Sequence, residues 1–166
     1  MKIYDYNLNE WYNIVEPILS NGEFQKRKTF LHHGNITVYE HVLCVSIVSY
    51  KWAKKMGLNY RDAAIAGLLH DFYKTPWTTD TEKKPLFKKH GFTHASDALD
   101  NAKTHFNDLL NPVIENTILR HMFPLNIIPP KYKIGWIVTL ADKRVSLEVM
   151  FEPKFFRDLI TGVTGR

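Results

Sequence analysis

Four histidines and two aspartates have the types and spacing to hold metal: His41, His70, His94 and His121, with Asp71 and Asp142. They are separated by 29 residues (His41 to His70), 23 (Asp71 to His94), 27 (His94 to His121) and 21 (His121 to Asp142). Each separation is about one helix plus one connection, so helices laid side by side in a bundle bring all six to one level of the core. Two unpaired carboxylates buried there cost several kcal/mol, which a cation offsets. Imidazole mixed with carboxylate suits Zn, Fe, Mn or Co better than Mg or Ca, which prefer oxygen alone. Any one of these histidines, taken singly, reads as a structural residue. The adjacent His70-Asp71 does not, because neighbours on a helix point about 100° apart and one of the two then faces the core.

Helices must position them. Thr37-Val38-Tyr39-Glu40 is a capping box opening a periodic run with Val38, His41, Val42, Val45, Ser49, Trp52 and Met56 on one face, closed by Gly57. Asn59 caps the next helix, where Ala63, Ala64, Ala66 and Gly67 invite close approach by another helix before His70-Asp71, with an end expected near Tyr73. From Lys74 to Phe92, five lysines against Asp80 and Glu82 leave +3 on a long loop with two prolines, a length typical of a functional cover. Further helices are expected from His94 to Phe106, from Asn111-Pro112 to Met122, along Ile134, Ile137, Val138, Ala141, Val145 and Val149, from Pro153, and earlier from Asn9 to Leu19. The expectation is an all-α bundle of six to eight helices forming one domain over residues 1–166. Dinucleotide-binding, Walker A and nucleophile-elbow signatures are missing from the sequence.

A chain of 166 residues with 45% apolar and 23% charged residues suits a folded globule and excludes disorder or a disulfide scaffold. The sole cysteine, Cys44, lies among Val42, Leu43, Val45 and Ile47, which suits a buried thiol in a reducing cytoplasm. No apolar run reaches the roughly 18 residues of a membrane helix, and Met1 to Trp11 has no secretory pattern. A net charge of +5 permits polyanionic partners. Two bound divalent cations would add to it, favouring a small anionic substrate over nucleic acid. A homodimer stays open.

The ordered set resembles the HD-domain metal-dependent phosphohydrolases, whose signature is a histidine, a His-Asp pair and a distant aspartate, here His41, His70-Asp71 and Asp142. The likeness covers about residues 32–145. It includes the His-Asp-x-x-Lys form in His70-Asp71-Phe72-Tyr73-Lys74 and the lead-in His33-Gly34-Asn35-Ile36-Thr37. His94 and His121 look like the extra histidines of the two-metal branch. That branch includes bacterial symmetrical diadenosine tetraphosphate hydrolases and cyclic dinucleotide phosphodiesterases, although the Gly-Tyr-Pro motif of one cyclic dinucleotide group is missing after Lys74.

The resemblance implies two divalent transition metals (Fe, Mn, Co or Zn). His41, His70, Asp71 and Asp142 would hold one, while His94, His121 and a bridging Asp71 would hold the other. Such a pair activates a hydroxide that attacks phosphorus in line. Lys74, one helical turn after His70, would neutralise a phosphate oxygen, and Arg120, Lys143 and Arg144, beside proposed ligands, are further substrate-binding candidates. His32 and His33 are secondary candidates for the pocket, and His90 and His105 are expected in solvent. Trp77, Phe87 and Phe123 either anchor loops or stack on a base.

The favoured function on the sequence is a dinuclear phosphohydrolase of nucleotides, dinucleotide polyphosphates or other small phosphate esters; the alternatives are a mixed-valence diiron oxygenase on the same scaffold and a metal-stabilised module binding RNA or an acidic partner. Basic residues are dense only at Lys26-Arg27-Lys28 and in the Lys74–Phe92 loop.

Overall fold

Side-chain oxygens start the helices that carry the site. Thr37 Oγ1 accepts from the Glu40 amide at 3.2 Å while Glu40 Oε2 accepts from the Thr37 amide at 2.7 Å, completing the expected capping box. Asn59 Oδ1 accepts from the Asp62 amide at 3.1 Å. Asn111 Oδ1 accepts from the amides of Val113 and Ile114. Its Nδ2 donates to Asp62 Oδ1 at 3.1 Å, so one residue caps a helix and ties it to the first turn of another.

A computed structural model describes residues 8–32, 36–75 and 90–151, with backbone alone at 90–92 and 148–151. Among the described residues the α-helices are α1 (Asn9–Leu19), α2 (Gly22–Gln25), α3 (Val38–Lys55), α4 (Tyr60–Leu69), α5 (His90–Phe106), α6 (Pro112–Arg120) and α7 (Lys133–Phe151). Two 3₁₀ turns, Lys26–Thr29 and Asn107–Leu109, complete the helical order. Among the described residues the β-structure is one isolated antiparallel bridge, Leu31 to Thr37. The fold is all-α, as expected, and no described helix is long and apolar enough to cross a membrane. The final helix expected from Pro153 and most of the basic loop, with Trp77 and Phe87, lie outside the described residues, as does His33.

One expectation needs correction at α3. Every residue from His41 to Lys51 is buried, so the helix is enclosed on all sides instead of along one stripe. The stretch from Val42 to Val48, apolar but for Ser46, covers its whole circumference, and such a helix belongs in the middle of a bundle. It packs against α4 and α7. Met56, assigned to the buried face, is 63% exposed because it stands at the C-cap, beyond which Gly57 turns the chain at φ 66°. Cys44 is buried as expected.

The small-residue surface of α4 meets α3. A Cβ added to Gly67 would stand 2.7 Å from Ser46 Cα. The Ser46 hydroxyl donates to the Ala64 carbonyl at 2.7 Å and accepts from Trp11 Nε1 at 2.9 Å, joining α1, α3 and α4. Because the obstructing atom is backbone, Gly67→Ala has to move a helix. We expect it to lose about 1–3 kcal/mol of stability, a drop of several degrees in Tm in a thermal melt. An unchanged melt would show that the contact yields freely.

Candidate metal centre

Five helices deliver the six side chains, and the structure brings all of them together. His41 lies in the first turn of α3, His70 and Asp71 just past the end of α4, His94 on α5, His121 just past α6, and Asp142 on α7. Asp71 is the hub. Its Oδ2 lies 3.5 Å from His70 Nε2 and 3.9 Å from His41 Nε2. Asp142 Oδ1 closes that side at 3.0 Å from His41 Nε2 and 3.7 Å from His70 Nε2. The other Asp71 oxygen, Oδ1, is 3.4 Å from His94 Nε2 and 3.6 Å from His121 Nε2, which are themselves 3.2 Å apart. All but Asp142 are buried, and its side chain is 15% exposed.

The helix ends explain how two imidazoles are aimed. The last carbonyls of a helix have no partner within it. His70 Nδ1 donates to the Gly67 carbonyl at 2.8 Å, and His121 Nδ1 donates to the Ile118 carbonyl at 2.7 Å. In both rings this leaves Nε2 turned toward Asp71, the outer-partner arrangement that orients metal-bound histidine. Both helices stop earlier than the sequence suggests, α4 at Leu69 instead of near Tyr73 and α6 at Arg120 instead of Met122, because His70 and His121 are the caps. In contrast, α5 begins at His90, four residues before the expected start.

These residues fit metal ions. His70 Nε2 and Asp71 Oδ1 are buried without a hydrogen-bond partner. Ligands held at about 2.1 Å lie roughly 3.0 Å apart around an octahedral ion and 3.4 Å around a tetrahedral one. The His94, His121 and Asp71 triangle has edges of 3.2, 3.4 and 3.6 Å, that same scale. Donor atoms of His41, His70 and Asp142 likewise lie within 4.8 Å of one another, as do those of His70, Asp71 and His121.

Charge in the metal-free cluster is shared tightly. Burial opposes ionisation of Asp71, but His70, His121 and His94 hold its carboxyl well below the usual range. Against the same penalty, His41 and His70 do so for Asp142. Burial also disfavours a charged His70, yet Asp71 and Asp142 raise it to about 9. A proton thus stands where a cation would. Burial and then Asp71 raise the phenol of Tyr73, which stays protonated beside the site.

The basic candidates are placed differently. Lys74 is exposed on a bend outside α4, so the expected spacing of one helical turn from His70 does not hold. Lys143 Nζ donates to the His121 carbonyl at 3.5 Å. Arg144 lies over the Trp52 ring at 5.6 Å, and Arg120 lines a surface cavity of about 280 Å³ with Ser96, Leu119 and Ile127. Phe123 packs edge-on against Trp136 at 5.3 Å, a loop anchor. His105 is exposed as expected.

His32, a secondary candidate by sequence, joins the cluster. Its ring lies 4.1 Å from that of His41, and donor atoms of His32, His41 and Asp71 fall within 4.8 Å of one another. The usable signal is its position in the lead-in, five residues before the Thr37 cap of a helix that carries a ligand in its first turn.

No curated protein and no solved structure matches the chain. The family model described as HD domain matches residues 38–146, more than half of the chain and the whole stretch from His41 to Asp142. With a His-Asp pair at the hub and the outlying histidine and aspartate closing on it, geometry and family match agree that the chain belongs to the HD domain family.

Proposed function

We propose that the protein is a dinuclear metal-dependent phosphohydrolase acting on a phosphate ester or anhydride of a nucleotide or dinucleotide polyphosphate. One observation carries this reading: each oxygen of Asp71 faces its own pair of histidines. His41, His70, Asp71 and Asp142 would hold one divalent transition metal, and His94, His121 and Asp71 the other. When bound, such ions supply Lewis acidity toward phosphoryl oxygen and a nucleophilic water at neutral pH. The carbonyls of Gly67 and Ile118 fix the rings of His70 and His121, so little reorganisation is needed on loading. Asp71 and Asp142 balance the charge, and the net +5 of the chain favours an anionic substrate.

Lys143 is engaged by the His121 carbonyl, Arg144 lies on Trp52, and Arg120 faces a separate cavity. Lys74, exposed three residues past Asp71, is the cation we assign to substrate phosphate. Lys74→Ala should keep both ions and lower turnover about 10- to 100-fold, the weight of one charge-assisted contact. Unchanged rates across substrates would make it a solvated surface lysine.

The activity is tested by screening phosphate esters and dinucleotide polyphosphates with Mn, Fe, Co and Zn, with and without air. Phosphate-bond cleavage in both atmospheres is expected. Oxygen consumption with iron and no hydrolysis would replace this reading by the oxygenase.

A further inference from the structure

We propose that His32 is a fifth protein ligand to the subsite of His41, His70, Asp71 and Asp142, an inference that rests on metal occupying the cluster. His32 sits on a short segment that is pinned on both sides. Its amide donates to the Ile36 carbonyl at 2.9 Å, the Val38 amide donates to the Phe30 carbonyl at 2.8 Å, and Leu31 pairs with Thr37. Thr37 is also the cap of α3, and His41 follows one turn later. The backbone thus holds His32 and His41 as one unit, their rings tilted by 31° with centroids 4.1 Å apart. A donor atom of His32 lies within 4.8 Å of those of His41 and Asp71, on the half-exposed side of an otherwise buried cluster.

This ligand makes the two subsites unequal. An octahedral ion held by His41, His70, Asp71 and Asp142 would have two positions left, and His32 would fill one of them. The subsite of His94, His121 and Asp71 would have three protein ligands and so more room for a substrate oxygen.

Donation by His32 differs from mere ring stacking on His41, and two substitutions separate them. His32→Phe keeps a flat ring without a donor nitrogen; His32→Ala removes both. Metal-free full-length protein is titrated with Co²⁺, following visible d–d absorption and counting bound ions by elemental analysis. Melting of the metal-free variants confirms that they are folded. Wild type should bind two ions, and both variants should bind one of them at least about tenfold more weakly, with stronger d–d absorption as that ion loses a ligand. Combining His32→Phe with His94→Ala should weaken both ions. If His32→Phe retains wild-type affinity and spectrum, the ring only stacks and the proposal is overturned. Wild type that takes up no Co²⁺ would instead sink the metal reading itself.

Discussion

Asp71→Ala should release both ions, whereas His94→Ala or His121→Ala should release chiefly one. The asymmetry follows from the carboxylate. Its Oδ2 serves the side of His41 and His70 and its Oδ1 the side of His94 and His121, at 3.4 to 3.9 Å from their nitrogens. The other carboxylate, Asp142, pairs among the described residues with His41 and His70, on one side of the cluster. Losing Lewis acidity removes several kcal/mol of transition-state stabilisation, so at about 1.4 kcal/mol per factor of ten hydrolysis should fall about a thousandfold or more. The fold should survive. Without Asp71 the charged form of His70 loses its largest electrostatic support and sheds its proton, leaving a neutral ring on the Gly67 carbonyl. Elemental analysis after gel filtration, paired with kcat/KM, reads both effects. If Asp71→Ala kept one ion while His94→Ala lost both, the bridge would lie elsewhere.

Much of this centre was legible because its members are chemically conspicuous and sit one helix apart. His41, His70, Asp71, His94, His121 and Asp142 could be chosen from type and spacing, and the caps at Thr37, Asn59 and Asn111 follow rules local to a few residues. Long-range packing was harder to read. The enclosure of α3 depends on how many neighbours surround it, which a single-stripe reading of Val38 to Met56 cannot represent. The ends of α4 and α6 were misplaced because a histidine reads as an ordinary helical residue until its ring is seen bonded to a carbonyl three positions back. Lys74 was misplaced in consequence, since its expected position assumed a helix that had already ended. His32 lies outside any helix, so no periodicity could aim it.

Metal uptake should release protons near neutral pH and tighten as pH rises toward 9. His70 in the metal-free protein is raised to about 9 from an ordinary 6.5, so at pH 7 an incoming ion must displace its proton. Calorimetric titrations in buffers of different ionisation enthalpy count that proton directly. The stability of the two forms should consequently diverge. The raised His70 stabilises the metal-free protein fully below about pH 6.5, and this is lost as pH rises through about 9. The depressed Asp71 and Asp142 contribute above their ordinary 3.8, and that part is lost in acid. Chelated protein should therefore be most stable in mildly acidic buffer and weaken toward pH 9, where loaded protein gains from tighter binding. An ion at a thousand times its Kd adds about 4 kcal/mol, and at about 2–4 °C per kcal/mol each ion raises Tm by roughly 8–16 °C. Calorimetry showing no proton release at pH 7, with a chelated Tm that is level from pH 6 to 9, would mean that His70 is already neutral and that some other group balances the two carboxylates.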